Sequence, residues 1–508
     1  MVSSSSAAIF AAIASLTGLL MFNTSLILVF INVALILWLS TRRPPGLPPG
    51  PPLLPFVGNA LSIGADIRVT FNKLRRQYGN IFSVYIFNQP VIVLSGYSAI
   101  KEALVKNGDV FSERPKSFLT DFFAQNKGVG GTNGTHWKEQ RRFALTTLRD
   151  FGMGKSLLES KIQDELSVFL KALEQKGGHV FDCKRLVHNA VANIICAVCL
   201  GKQFEYDDPR FVKFLKATEK ILELLGGANT LNLYPIVRFI PGDFFNFKTL
   251  MQSMETIDKG EIEKDVEEHI NSYDEDNVDD FITAYIKEMK LRGSDDTFDR
   301  GHLEKTVRDL FIAGTETTAT TIRWTLLYFL HNPDVQDKCF REIQDNIGQS
   351  RLPTMKDKTS LPYVEATISE IQRCSDIAPL AVPHSVPYDI QFQGYTFPKG
   401  VTVLPNLDSV LQDPAVWGDP QNFRPERFLD GEGKYLKKEE FIPFSMGRRV
   451  CLGESLARME LFLFLVAMIQ RFQFLPDKGP LTPLKGKLGI TYSAPNFSIR
   501  AVPRNKCE

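Results

Sequence analysis

Residues 303–330 read as one long helix, and between Asp309 and Arg323 its only charged side chain is Glu316. A helix that is apolar on every side has no face to offer water, so this one is predicted to run through the centre of the protein. The chain is large enough to surround it: 508 residues, 44% hydrophobic and 23% charged, is a globular composition that excludes disorder and collagen. The 59 basic residues nearly balance the 58 acidic ones, so no global field holds a polyanion and nucleic acid is not an expected partner. Seven cysteines, at 183, 196, 199, 339, 374, 451 and 507, are too sparse and too odd in number for a disulfide framework, which puts the main body in a reducing compartment.

Three more stretches, 155–173, 186–200 and 451–472, carry apolar residues at three- and four-residue spacing or throughout, and read as helices. Shorter β-like runs at 81–87, 91–94, 389–392 and 401–404 are bordered by Gly and Pro. The fold class is therefore mainly α with minor β. The acidic region 261–300 reads as a surface excursion within a single large domain.

Nothing before Arg42 is charged, and the apolar stretch from about residue 7 to 39 is long enough for one membrane span. Arg42 and Arg43 follow directly, which places the C-terminal body on the cytosolic side. The prolines of residues 44–52 fix φ and remove donors, and read as a stiff spacer. The expected organisation is an anchor over 1–41, a proline-rich hinge over 42–55 and a catalytic body over 56–508. Sequons at Asn23, Asn133 and Asn496 stay unmodified in that topology.

The most informative loop contains Phe444, Gly447, Arg449, Cys451 and Gly453 and leads into an apolar helix. A cysteine at a helix N-terminus faces free backbone N–H groups and the positive end of the dipole, which favours a thiolate suited to metal binding or nucleophilic attack. Gly447 permits a positive-φ turn, and Gly453 lets the helix start approach something flat. Cys196 and Cys199 lie on an apolar helical run and are read as packing residues.

These five positions satisfy Phe-x-x-Gly-x-Arg-x-Cys-x-Gly, and on them the chain resembles the cytochrome P450 haem-thiolate monooxygenases. The resemblance implies a cytochrome P450-type haem domain, with haem b as cofactor and Cys451 as the thiolate ligand of its iron. It implies a structural network of Glu370, Arg373 and Arg427. In Ala313-Gly314-Thr315-Glu316-Thr317 it implies that Thr317 and Glu316 are catalytic, handling oxygen and protons, while Ala313 and Gly314 leave room for dioxygen. Arg114, Trp137, Arg141, His384 and Arg449 are implied to bind the haem carboxylates; Trp137 and Arg141, four apart, share one helix face.

The resemblance also implies that Lys138, Arg142 and Arg448 form a basic cluster near the thiolate side of the haem that steers an electron-delivering partner. Anchor, hinge and motifs together resemble the microsomal family-2 type. That type implies a single-pass protein of the endoplasmic reticulum membrane with its body in the cytosol, served by NADPH-cytochrome P450 reductase and cytochrome b5. The reaction implied is insertion of one oxygen atom from O2 into a lipophilic substrate, a fatty acid, steroid or xenobiotic. Apolar candidates for its pocket are Phe118, Leu119, Phe122, Phe123, Ala313, Leu380 and Val382, and residues 233–240 with Phe244, Phe245 and Phe247 are the candidate for dipping into the bilayer. Two other functions stay open. A haem-thiolate isomerase or lyase acting on peroxides is opposed by the intact Glu316-Thr317 pair, and a membrane-anchored haem sensor or carrier would need neither that pair nor a reductase patch.

Overall fold

The computed structural model describes residues 28–504 apart from 34, 40, 65, 153–156, 226–228 and 294. Most of the expected anchor lies outside the described residues, and among these no helix is long and apolar enough to cross a membrane. The chain resolves into two compact units: residues up to Leu94 together with Tyr388–Val403, and Ser95–Pro387 together with the chain from Leu404 onward.

In the first unit, helix α1 (Ile67–Tyr78) starts where the Asp66 carboxylate accepts from the Arg68 N–H at 3.1 Å, and it stops at Gly79. It buries Phe71 and Leu74, and Phe71 meets Phe82 edge to face at 5.7 Å. Phe82 lies on β1 (Ile81–Ile86), which pairs antiparallel with β2 (Gln89–Ser95). A second hairpin joins Ile390–Phe392 to Tyr395–Phe397. The proline segment is docked and not free: Ser83 donates through its N–H to the Pro49 carbonyl and through Oγ to that of Pro48, at 2.8 and 2.7 Å.

The second unit holds helices α2 (Phe118–Ala124), α3 (Gly134–Gly152), α4 (Leu157–Glu174), α5 (Lys184–Cys199), α6 (Pro209–Leu225), α7 (Phe247–Ile257), α8 (Phe281–Arg292), α9 (Arg300–His331), α10 (Pro333–Asn346), α11 (Pro362–Ser375) and α12 (Glu454–Arg471). Helix α9 is the predicted central rod. Every residue from Thr318 to Leu330 is buried, and the helix packs most extensively on α5 and also against α11 and α12. Its start is capped by Asp299, whose carboxylate accepts the His302 N–H at 2.6 Å. The sheet of β3 (Val180–Asp182), β4 (Phe472–Pro476) and β5 (Ser498–Pro503) has β5 in the middle, antiparallel to both neighbours.

Cys196 and Cys199 are buried on α5, and burial pushes the Cys199 thiol up to about 12, as expected of packing residues. The acidic region departs from its expected role. Residues 263–271 are helical, and α8 buries Phe281, Ile282 and Tyr285, so this stretch supplies part of the core and is not a mere surface excursion. A sparse set of apolar residues on an acidic background suffices when they share one helix face.

Candidate functional site

The turn that carries Cys451 is folded by its own backbone. Ser445 N–H donates to the Ile442 carbonyl at 3.0 Å, Val450 N–H to Gly447 at 3.1 Å and Cys451 N–H to Phe444 at 3.0 Å. Gly447 adopts φ +80°, and a Cβ there would collide with the Leu104 carbonyl, so backbone conformation and space both demand glycine. Helix α12 begins at Glu454 with Gly453 as its N-cap, which leaves Cys451 two residues ahead of the cap instead of inside the helix. No atom would meet a Cβ at Gly453, so the space beside it is open. Cys451 is accessible and unpaired. Crowding by protein raises its thiol pKa, the Gly453 N–H opposes that, Glu454 adds to it and the Arg141 charge opposes it; the net direction is upward. A cation at Sγ is what would hold it as a thiolate.

Around this turn the fold gathers three guanidiniums. Arg141, on α3, donates through Nη2 to the Val450 carbonyl at 2.6 Å. Arg449 donates to the Ser112 carbonyl at 2.8 Å and the Thr132 carbonyl at 2.6 Å, and lies 3.7 Å above the Trp137 ring. Arg114 donates to the carbonyls of Val382 and Pro383 at 3.0 and 2.7 Å, while its Nε is buried without a partner. None of the three has a carboxylate partner among the described residues. Burial, reinforced by mutual repulsion, pushes Arg449 down to about 8 and Arg114 down to about 10. One buried and two half-buried guanidiniums, with a spare N–H and no carboxylate partner among the described residues, have the chemistry to take a group bearing carboxylates.

His384 joins this cluster in a different state from the one a carboxylate clamp needs. Its Nδ1 donates to the Phe111 carbonyl at 2.6 Å, and burial with the charges of Arg114 and Arg449 pushes its pKa down to about 3. The ring is therefore neutral, with Nε2 an acceptor.

Thr317 and Glu316 occupy α9, and their bonds do not reach the cysteine turn. The Thr317 hydroxyl donates to the Ala313 carbonyl one turn back at 2.8 Å. Ala313 is accessible, as a residue bordering open space should be. A Cβ at Gly314 would stand 2.6 Å from Ile195 Cδ1, so its smallness permits close packing against α5. Glu316 reaches His188 Nε2 at 3.2 Å, Thr320 Oγ1 at 3.0 Å and Ser493 Oγ at 3.4 Å. Burial pushes its pKa up, but the His188 contact, the Thr320 hydroxyl and Lys184 more than offset this, and the net shift is down.

Behind the turn, the expected Glu370 network is complete. Arg373 donates to both Glu370 oxygens at 2.7 and 2.9 Å, and Arg427 Nε donates to Oε1 at 2.9 Å. On the outer surface Lys138, Arg142 and Arg448 are exposed, and Arg448 pairs with Asp109 at 2.6 Å.

Of the apolar candidates, the Phe118 and Phe122 rings meet at 5.5 Å and both approach Phe247, at 5.9 and 5.5 Å. Leu119 is buried in the core beside them, while Val382 is exposed. Asn133, which the sequence marks only as a sequon, makes bonds within this site, and His188 and Ser493 are contributors that the sequence does not mark at all. An Asn-Gly pair signals only a turn, and the other two act across large chain separations.

A family model described as cytochrome P450 matches residues 48–501. Among similar proteins, cytochrome P450 2U1 of Homo sapiens is 41% identical over 494 residues, covering 91% of this chain and 90% of that protein. Cytochrome P450 2J1 of Oryctolagus cuniculus is 39% identical over 473 residues, covering 92% of this chain and 93% of that protein. Cytochrome P450 2B4 of the same species is 38% identical over 495 residues, 95% of this chain and 100% of that protein.

Proposed function

Because this chain belongs to the cytochrome P450 family, whose members are monooxygenase oxidoreductases using haem with a cysteine thiolate on the iron, we propose that it inserts one oxygen atom of O2 into a lipophilic substrate. In this reading the electrons come from NADPH through a reductase, with cytochrome b5 as a second donor, at the cytosolic face of the endoplasmic reticulum. The observation that carries the proposal is the convergence of three carboxylate-free guanidiniums beside an accessible cysteine.

The residues present fit haem. Cys451 would ligate iron, while Arg114, Arg141, Arg449 and the Trp137 indole N–H would hold the two carboxylates; His384 can join them as a donor only by gaining a proton, which nearby anions favour. Haem bound there supplies dioxygen activation. Cys451 must first lose its proton, and the Gly453 N–H and Arg141 favour that loss. The Thr317 hydroxyl spends its own proton on Ala313, so its lone pairs are what it offers to the open side. Glu316, held ionised by His188, can accept a proton and pass it on. The Phe118 and Phe122 cluster, with Val382, supplies apolar surface for a lipophilic molecule.

Two variants test this. Cys451→Ala should abolish the strongly red-shifted band of the reduced, carbon monoxide-bound protein, and retention of that band sinks the ligand assignment. Thr317→Ala should keep the band but divert NADPH electrons to peroxide or water, so product per NADPH falls; full coupling would remove Thr317 from the catalytic set.

A further inference from the structure

Asn133 makes contacts out of proportion to its place in a turn. Its Oδ1 accepts the Arg114 backbone N–H at 2.7 Å, and its Nδ2 donates to the Arg114 carbonyl at 3.0 Å. The carboxamide thus treats Arg114 as a neighbouring strand would, holding both of its main-chain polar groups. The same Oδ1 accepts from Arg449 Nη2 at 3.2 Å. The Asn133 main-chain carbonyl accepts the N–H of Trp137 at 3.4 Å, where α3 begins. These partners also settle which way the amide faces, because a flipped group would set its NH2 against two donors.

One uncharged side chain therefore ties together the segments carrying Arg114 and Arg449, while the main-chain carbonyl of the same residue meets the start of the helix that carries Trp137. Its being an amide has a consequence of its own. An aspartate here would keep both Oδ1 bonds, set its second oxygen against the Arg114 carbonyl to which Asn133 donates, and put a negative charge against Arg449. That charge would occupy a cation which otherwise has no carboxylate partner among the described residues.

We infer that Asn133 is a positioning residue for the haem carboxylates, aligning Arg114 and Arg449 by neutral hydrogen bonds that leave both positive charges available to the cofactor. The inference rests on the reading of the three guanidiniums as the carboxylate receptor. It also gives the sequon at Asn133 a folded-state role, since both ends of its carboxamide are engaged.

The test is haem transfer from the purified full-length holoprotein to excess apomyoglobin, followed by absorbance, with thermal unfolding of each haem-bound variant measured alongside. Asn133→Ala loses the alignment, and haem loss should quicken a few-fold, as suits the removal of neutral hydrogen bonds. Asn133→Asp should lose haem about tenfold faster than the unaltered protein, because charge-assisted contacts are roughly twice as strong as neutral ones and Arg449 would be diverted from the cofactor. The decisive feature is the order. Asn133→Asp keeps more bonds than Asn133→Ala, so a purely structural role predicts slower haem loss and higher thermal stability for Asp. The inference predicts faster haem loss for Asp despite equal or higher thermal stability.

Haem loss from Asn133→Asp no faster than from Asn133→Ala overturns the inference. So does a failure of both variants to fold while Arg449→Leu folds, which would make Asn133 a folding residue. If Arg449→Leu itself leaves haem loss unchanged, the receptor reading falls instead, whatever the Asn133 variants do.

Discussion

Replacing Glu370 by alanine removes the buried carboxylate from a network with two buried guanidiniums. The side chains of Glu370 and Arg373 are 0% exposed and that of Arg427 is 3% exposed. Glu370 accepts three bonds from these guanidiniums and a fourth from the Arg424 N–H at 3.0 Å. Without it, Arg373 keeps the carbonyls of Leu411 and Pro420, and Arg427 keeps those of Trp417, Asp419 and Asn422. Those contacts satisfy N–H groups but supply no countercharge. Among the described residues only Asp419 Oδ1, 3.2 Å from Arg427 and 40% exposed, offers one. Breaking a buried ion pair from one side typically costs about 3–5 kcal/mol, a large part of the roughly 5–15 kcal/mol that holds an ordinary domain folded. Glu370→Gln should cost less than Ala, because it keeps an acceptor while placing an NH2 group near the Arg373 Nε.

The assay is the yield of protein with the thiolate-type carbon monoxide spectrum, together with the urea midpoint of whatever protein is isolated. Lys434→Ala is the control. Its partner Glu432 is 74% exposed, as is Lys434 itself, and exposed pairs contribute about 0–1 kcal/mol. Glu370→Ala, Arg373→Met and Arg427→Met combined would test whether charge is the issue, though five carbonyls would then lose donors and recovery should be partial. A Glu370→Ala protein within about 1 kcal/mol of the unaltered one would refute the reasoning, since desolvated guanidiniums cannot be left so cheaply unpaired.

Gly447→Ala should prevent the cysteine turn from closing and lose the thiolate spectrum, whereas Gly431→Ala, at an open position, should be silent; both are read by absorbance after reduction and carbon monoxide binding. Burial pushes the Glu165 carboxyl up to about 7, against hydrogen bonds from Tyr206 and Asn193. The folded state therefore binds this proton more tightly than the unfolded chain, so its contribution falls as pH rises from about 4.5 to about 7, by up to about 3 kcal/mol, and is level above that. Glu165→Gln should flatten that part of the pH dependence, measured as urea midpoints at pH 5 and pH 8. Ile236, Phe239 and Phe244 are 72%, 68% and 76% exposed, so serines at all three should reduce vesicle binding of the described body while leaving the haem spectrum intact.

What could be read from the sequence divides along a physical line. Apolar periodicity is local, so α5, α9 and α12 lie within a few residues of their expected bounds, and Gly447 could be read because a positive φ is a property of one residue. Partner choice is not local. His188 and Glu316 are 128 residues apart, and no spacing rule links them. Glu460 shows the same limit. It sits in an apolar helical stretch like any solvated helix charge, yet it is buried, and burial pushes it up to about 8 with the Thr318 hydroxyl opposing. The close approach of Ile195 to Gly314 is of the same kind, since the two residues come from different helices. Asn133 could have been suspected only by asking what an Asn-Gly turn must hold in place.

The two catalytic candidates on α9 also gain a division of labour that neither residue type implies alone. Glu316 is neighboured by an imidazole, two hydroxyls and a nearby lysine charge, and the His188 contact, the Thr320 hydroxyl and the Lys184 charge favour its ionised form. With His188 Nδ1 donating to the Lys184 carbonyl at 2.9 Å, its Nε2 can donate to Glu316 only when the ring is charged. Thr317 meanwhile commits its hydroxyl proton to Ala313, so a proton delivered to the open side must either be received on the Thr317 oxygen or follow release of that 2.8 Å bond. Removing the hydroxyl would free the Ala313 carbonyl to bind water in its place. Thr317→Ala is therefore expected to move product per NADPH more than the unfolding midpoint, because an internal Thr-to-Ala exchange slightly favours the helix while changing what faces the open side.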